Sequence, residues 1–134
     1  MVGKPVKKRR FGISIPEPLA RDLDELAEAL SLDRSKLIKQ AISAFIQEHK
    51  HHLVPHECLG LMVVVTVPGC FKMADLLEEF RDVVRGYNHF HARGYCIEVA
   101  VVLGPSERIR DLHGILSSKE CSVRYLPLAH EPAR

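Results

Sequence analysis

The segment RFGISIP, residues 10 to 16, constrains the fold of this chain more than any other. Phe11, Ile13 and Ile15 alternate with Arg10, Gly12 and Ser14, the period of a strand with one apolar face. Pro16 and Pro18 stop it, and no second strand follows for some forty residues. A single strand has open hydrogen-bonding edges and an apolar face with nothing to cover it, so it is not stable alone in water. A second copy of the chain can supply the missing strand. The expectation is an antiparallel two-stranded ribbon shared by two chains, with helices from both beneath it.

Two helices do follow. PLARDLDELAEAL places Leu19, Leu23, Leu26, Ala27 and Leu30 at helical spacing. After the link SLD, Asp33 or Ser35 is available as N-cap for a second helix whose apolar stripe is Leu37, Ile38, Ala41, Ile42, Phe45 and Ile46. A two-stranded ribbon is among the elements that fit the major groove of DNA. Its outward residues, Arg10, Gly12 and Ser14, are then the candidate base readers, with Arg10 suited to guanine and Gly12 offering no side chain. Lys4, Lys7, Lys8, Arg9 and Arg10 crowd the first ten residues without an acid, although the whole chain carries a formal charge of only +2. Such an arm is an electrostatic footprint for phosphate or anionic lipid. The start of the second helix, at Arg34 and Ser35, offers backbone N–H groups to a further phosphate.

RFGISIPEPLARDLDELAEALSLDRSKLIKQAI resembles the ribbon-helix-helix DNA-binding fold, in which a strand of the type R-x-[ST]-x-[ST]-[IL]-[PD] precedes two helices and an R-S pair opens the second. The likeness covers about residues 8 to 50. It implies a DNA-binding and dimerisation domain over residues 1–52, with double-stranded operator DNA as partner.

Glu48 to Glu57, EHKHHLVPHE, is polar, rich in histidine and broken by Pro55, and reads as a solvated linker in preference to the alternative, a loose metal-binding cluster of His49, His51, His52 and His56 with Cys58. Beyond it, residues 57–134 follow a second pattern. LGLMVVVTV reads as a strand, Lys72 to Val84 as a helix, Tyr87 to Ala92 and Cys96 to Leu103 as strands, a helix capped by Ser106 comes next, and Ser122 to Leu128 closes as a strand. The order β-α-β-β-α-β is that of the ferredoxin-like split βαβ unit, an antiparallel sheet with its helices on one face. The fold class is therefore α+β.

Within that second pattern, NHFHARGYC carries the chemistry. Residues i and i+2 of a strand share a face, so His89 and His91 can address one point while Phe90 turns away. Cys96, across the short turn ARGY, can reach the same point. Two imidazoles and a thiolate bind late first-row divalent metals, and the thiolate discriminates against magnesium and calcium. The remaining cysteines, Cys58, Cys70 and Cys121, are scattered and fit small buried residues or reduced thiols better than a disulfide framework. His113 lies on the last helix and His130 in the tail.

With a ribbon-helix-helix module in the same chain, NHFH followed by CIEVAVVLG resembles the nickel-responsive regulators of the NikR family, whose C-terminal ACT-like domain carries an HVH strand before a CLEIAV-like strand. The resemblance implies a homotetramer, a dimer of dimers built on the C-terminal domains. It implies Ni(II) held by His89, His91, Cys96 and a fourth donor from the neighbouring subunit, and repression of metal uptake. Three features differ from that pattern: Lys36 and Gln40 replace acids that flank a secondary cation site near the DNA-binding helices, and two lie at the metal site. Glu78 stands where the family has its fourth ligand, a histidine, and the connection from the HxH pair to the cysteine is one residue shorter. A carboxylate donor is a weaker ligand than imidazole, which brings Zn(II) and Co(II) into competition with nickel. A DNA-binding repressor whose C-terminal domain senses a small ligand, or only oligomerises, is the alternative. No paired acid and base, phosphate loop or nucleophile motif suggests an enzyme. No apolar run approaches the length of a membrane span, and no signal-like segment follows the basic residues, so a cytoplasmic location is expected.

Overall fold

The computed structural model describes residues 3, 5–69, 71–119 and 121–129. Lys4, Cys70 and His130 lie outside the described residues. The chain divides into two compact units, Met1–Ala41 and Ile42–Arg134.

In the first unit, residues 5–15 make no strand pairing among the described residues. Helix α1 spans Glu17–Ala29, with proline in its first turn, where a missing N–H costs nothing. Ser31 adopts a left-handed conformation (φ 54°) just past the C-cap Leu30 and turns the chain towards α2, Arg34–Glu48. Asp33 is the cap: its Oδ1 accepts the Lys36 N–H at 2.8 Å. Of the two helical stripes in this unit only Ala27 and Leu37 are buried, and Phe11, Ile13, Leu19, Leu26 and Leu30 stay exposed.

The second unit holds a four-stranded sheet. Its strands are β1 (Glu57–Thr66), β2 (Val84–Ala92), β3 (Tyr95–Pro105) and β4 (Ser122–Ala129), in the spatial order β2-β3-β1-β4. β1 is antiparallel to both β3 and β4, and β2 is antiparallel to β3. Each parallel pair, β1 with β2 and β3 with β4, therefore has an antiparallel strand between its members, which is the split βαβ arrangement expected from the element order. Helix α3 (Ser106–Ser117) covers one face through Ile109, Leu112 and Leu116, packed on Met62 and Val64 of β1, Ala100 and Val102 of β3, and Tyr125 of β4. Each such large apolar side chain, fully buried, contributes about 1.5–3 kcal/mol.

The structure corrects three expectations. Lys72 to Val84 is not a helix: a 3-10 turn, Met73–Leu76, passes into further turns that end at Val84, three residues before the strand was expected to begin. Tertiary contacts outbid helical propensity here. The Met73 N–H is drawn to Glu98 Oε2 at 2.9 Å, and the Glu79 carbonyl accepts from Arg108 at 2.8 Å, while the Val83 N–H turns instead to the Phe80 carbonyl. The Arg108 guanidinium also grips Asp82 and holds its carboxyl below the usual range. Second, Ser106 does not cap α3. It is the first helical residue, and its hydroxyl accepts the His56 N–H at 3.1 Å while its own N–H donates to the His56 carbonyl. Third, the histidine-rich linker is not solvated throughout. Lys50–His52 forms a 3-10 turn in which His51 is buried.

Candidate functional site

The β2-β3 hairpin positions the three donors. Ala92 pairs with Tyr95, leaving a two-residue loop, Arg93 and Gly94, with both φ angles positive at 48° and 79°. This is the type I′ geometry that matches the twist of the flanking strands. It sets His91 opposite Cys96 and His89 opposite Glu98, and opposed residues share a face of the sheet. Cys96, Glu98, Ala100 and Val102 form the buried side of β3, so the donors meet where the core reaches the edge strand.

His89 Nε2 lies 3.0 Å from Cys96 Sγ and 3.0 Å from His91 Nε2, and one donor atom from each of the three residues falls within 4.8 Å of the others. One ion with bonds of about 2.0 Å to nitrogen and 2.3 Å to sulfur can touch all three. The set fits a borderline-soft divalent metal.

Glu98 was not singled out in the sequence, yet it organises the site. Its side chain is fully buried in an apolar strand. Oε1 accepts the Tyr87 hydroxyl and lies 3.7 Å from His89 Nδ1, and Oε2 accepts the Met73 N–H. A carboxylate on the Nδ1 side favours the tautomer with the proton there, leaving the Nε2 lone pair towards Cys96 and His91. Burial, and then the bond to Glu98, push the Tyr87 hydroxyl pKa far up, keeping it a proton donor. The signal was legible: one acid inside CIEVAVV, two residues from the cysteine and therefore on its face.

Glu78 does not belong to this group within one chain. It is exposed and faces Arg81 at 3.3 Å.

Lys8, Arg9, Arg10, Gly12 and Ser14 are all exposed, as are Phe11, Ile13 and Ile15 between them. Ser35 is exposed at the start of α2. Arg34 is committed elsewhere: its guanidinium makes a two-pronged contact with Asp24 at 2.7–2.9 Å, so it pins α2 to α1. What the start of α2 has left for an anion is backbone N–H groups, one of them already taken by Asp33.

Residues 9–48 match the family model described as ribbon-helix-helix protein, copG family. Over most of its length the chain is also similar to proteins that carry the name "putative nickel-responsive regulator". The one from Dictyoglomus turgidum is 30% identical over 115 residues, covering 81% of this chain and 85% of the relative. That from Methanocaldococcus jannaschii is 31% identical over 110 residues, covering 77% and 78%. The chain belongs to the nickel-responsive regulator family. The relative from Thermococcus kodakarensis, 30% identical over 112 residues, covers 77% of this chain and 79% of its own. Membership makes this protein a transcription regulator with a DNA-binding ribbon-helix-helix domain ahead of an α+β domain, and not an enzyme. Among the described residues no helix is long and apolar enough to cross a membrane.

Proposed function

We propose that this regulator senses nickel through His89, His91 and Cys96 and represses metal uptake by binding operator DNA in the cytoplasm. The convergence of two imidazoles and one thiol at 3.0 Å spacings carries the reading. Residues 1–52 serve as the DNA-binding and dimerisation domain, and 57–134 as the metal-binding, tetramerising domain of ACT-like type. The exposed Phe11, Ile13, Leu19, Leu26 and Leu30 support a second chain against the first domain. The sheet face not covered by α3 supports subunit contact in the second, since Val101, Leu126 and Leu128 stand exposed on the strands.

In this reading Glu78 of a neighbouring copy completes the site, and Glu98 and Tyr87 hold His89 in the tautomer that can ligate. Coupling follows from linkage: if the metal binds best to the arrangement of dimers that reaches both operator half-sites, DNA and metal strengthen each other's binding. Arg10 and Ser14 read base edges, with Lys8 and Arg9 along the phosphates. The Glu78 carboxylate favours a second reading in which Zn(II) or Co(II) is the physiological ion.

Untagged protein loaded with Ni(II) should show a thiolate charge-transfer band that Cys96→Ser abolishes, and should bind its own promoter region more tightly than protein held in chelator. Equal binding with metal and with chelator sinks the sensing mechanism. A site that retains zinc or cobalt in preference to nickel selects the second reading.

A further inference from the structure

The segment read as a solvated linker contains a second histidine cluster, well separated in sequence from the first. His51, on the 3-10 turn Lys50–His52, and His113, on α3, are each only 3% exposed. Sixty-two residues apart in the chain, they share a hydrogen bond of 2.8 Å between His51 Nε2 and His113 Nδ1. His52, exposed, stands beside them with its ring centroid 4.5 Å from that of His51. A donor nitrogen from each of the three lies within 4.8 Å of the others.

We propose that His51, His52 and His113 form a second metal site, distinct from the His89, His91 and Cys96 group, that takes a late first-row divalent cation through three imidazole nitrogens.

Three observations carry this. Buried polar groups are normally satisfied, because an unpaired one loses its hydration without compensation. Yet His51 Nδ1 is buried without a hydrogen-bond partner, as is Gln47 Oε1 four residues earlier. A proton on that Nδ1 would leave the Nε2 lone pair pointing at His113, the tautomer that ligating histidines use. Second, both inner imidazoles are almost fully buried, and the two nitrogens that face each other are already only 2.8 Å apart. Third, His52 gives the site an open side. A tetrahedral ion with metal–nitrogen bonds of about 2.0–2.1 Å sets its donors about 3.3 Å apart. His51 and His113 come close to that spacing already, and His52 is free to swing in from solvent. His49 stays outside the set, its Nδ1 donating to the Phe45 carbonyl at 2.9 Å. Without a thiolate this site is harder than the first, and imidazole alone suits zinc, copper, cobalt and nickel.

The proposal does not depend on nickel sensing, and its test removes the first site. Full-length, untagged His89→Ala/Cys96→Ser protein, stripped of metal, should still bind one Zn(II) per chain in competition with a chromophoric chelator. Co(II) in the same protein should give visible ligand-field bands without a thiolate charge-transfer band. Adding His52→Ala, an exposed position whose truncation leaves the core intact, should weaken zinc binding at least tenfold. In wild-type protein labelled with 15N at histidine, zinc should move the ring nitrogens of His51, His52 and His113, separately from those of His89 and His91. Absence of zinc binding in the double variant overturns the proposal, as does binding unaffected by His52→Ala. If the double variant fails to fold, the wild-type ring-nitrogen spectra decide: no response at His51 and His113 shows a neutral imidazole pair that only packs.

Discussion

The two units of this chain treat their apolar side chains in opposite ways. In Ile42–Arg134, α3 closes over the sheet, and Met62, Val64, Ile109, Leu112 and Leu116 have essentially no exposed surface. In Met1–Ala41, Phe11 is 73% exposed and Ile13 61%, and the helices bury little beyond Ala27 and Leu37. Both stretches are equally patterned in sequence. What separates them is strand number: four strands and a helix make a closed layer pair, whereas two helices preceded by an unpaired extended segment leave a face open. A pattern that cannot be satisfied within its own chain is the sign of a partner.

Substitutions on each side test that contrast. Leu112→Ala, in the closed core, should lower the unfolding free energy by about 2–5 kcal/mol, and the loss should not depend on protein concentration. Phe11→Ala removes a side chain that scarcely touches its own chain. If a second copy covers it, each chain should still lose about 1.5–3 kcal/mol, with a thermal midpoint that moves with protein concentration. A Phe11→Ala protein as stable as wild type, and equally dimeric by ultracentrifugation, would break the comparison.

A smaller effect lies at the foot of α2, in the second unit. Glu48 Oε1 accepts from Arg124 at 2.7 Å and from the Tyr125 N–H at 3.0 Å. Burial alone would raise the Glu48 carboxyl, but these two bonds outweigh it and hold the pKa below its ordinary 4.5. The sign follows: a carboxyl depressed in the folded state adds stability that is present above the unfolded pKa and is lost as pH falls through the folded one. Glu48→Gln should therefore cost about 1 kcal/mol at neutral pH and progressively less in acid. Thermal midpoints of the two proteins that stay parallel from neutral pH down to pH about 3 would refute it. The smallest change concerns the hairpin. Arg93 holds a left-handed φ of 48°, so Arg93→Gly or Arg93→Asn should stabilise the second unit by about 0.5–1 kcal/mol. A lower melting midpoint in both variants would show that the Arg93 side chain does more than turn the chain.

The sequence was most informative where periodicity and a local turn act together. Strand alternation put His89 and His91 on one face, and a two-residue turn brought Cys96 to them, so those three donors could be read in advance. The helix expected over Lys72 to Val84 failed because its backbone partners, Glu98 and Arg108, lie 25 or more residues away, beyond any local pattern. His113 had a signal of its own. It shares the stripe of Ile109, Leu112 and Leu116, and a histidine on an apolar stripe is bound to be buried. The identity of its partner, His51, was written only in the tertiary packing. Arg34 shows the same limit: the two-pronged contact of its guanidinium with Asp24 of the preceding helix had no local signal.

The hairpin's pairing has a consequence for how such chains can diverge. Because His91 faces Cys96 and side chains alternate sides along each strand, one residue inserted into either strand between them would turn the thiol away from the imidazoles. Length differences between His91 and Cys96 can therefore be absorbed only in the loop, through a change of turn type. A relative with a different spacing should then keep both strands and change only the bend, so that an alignment places any gap at Arg93–Gly94.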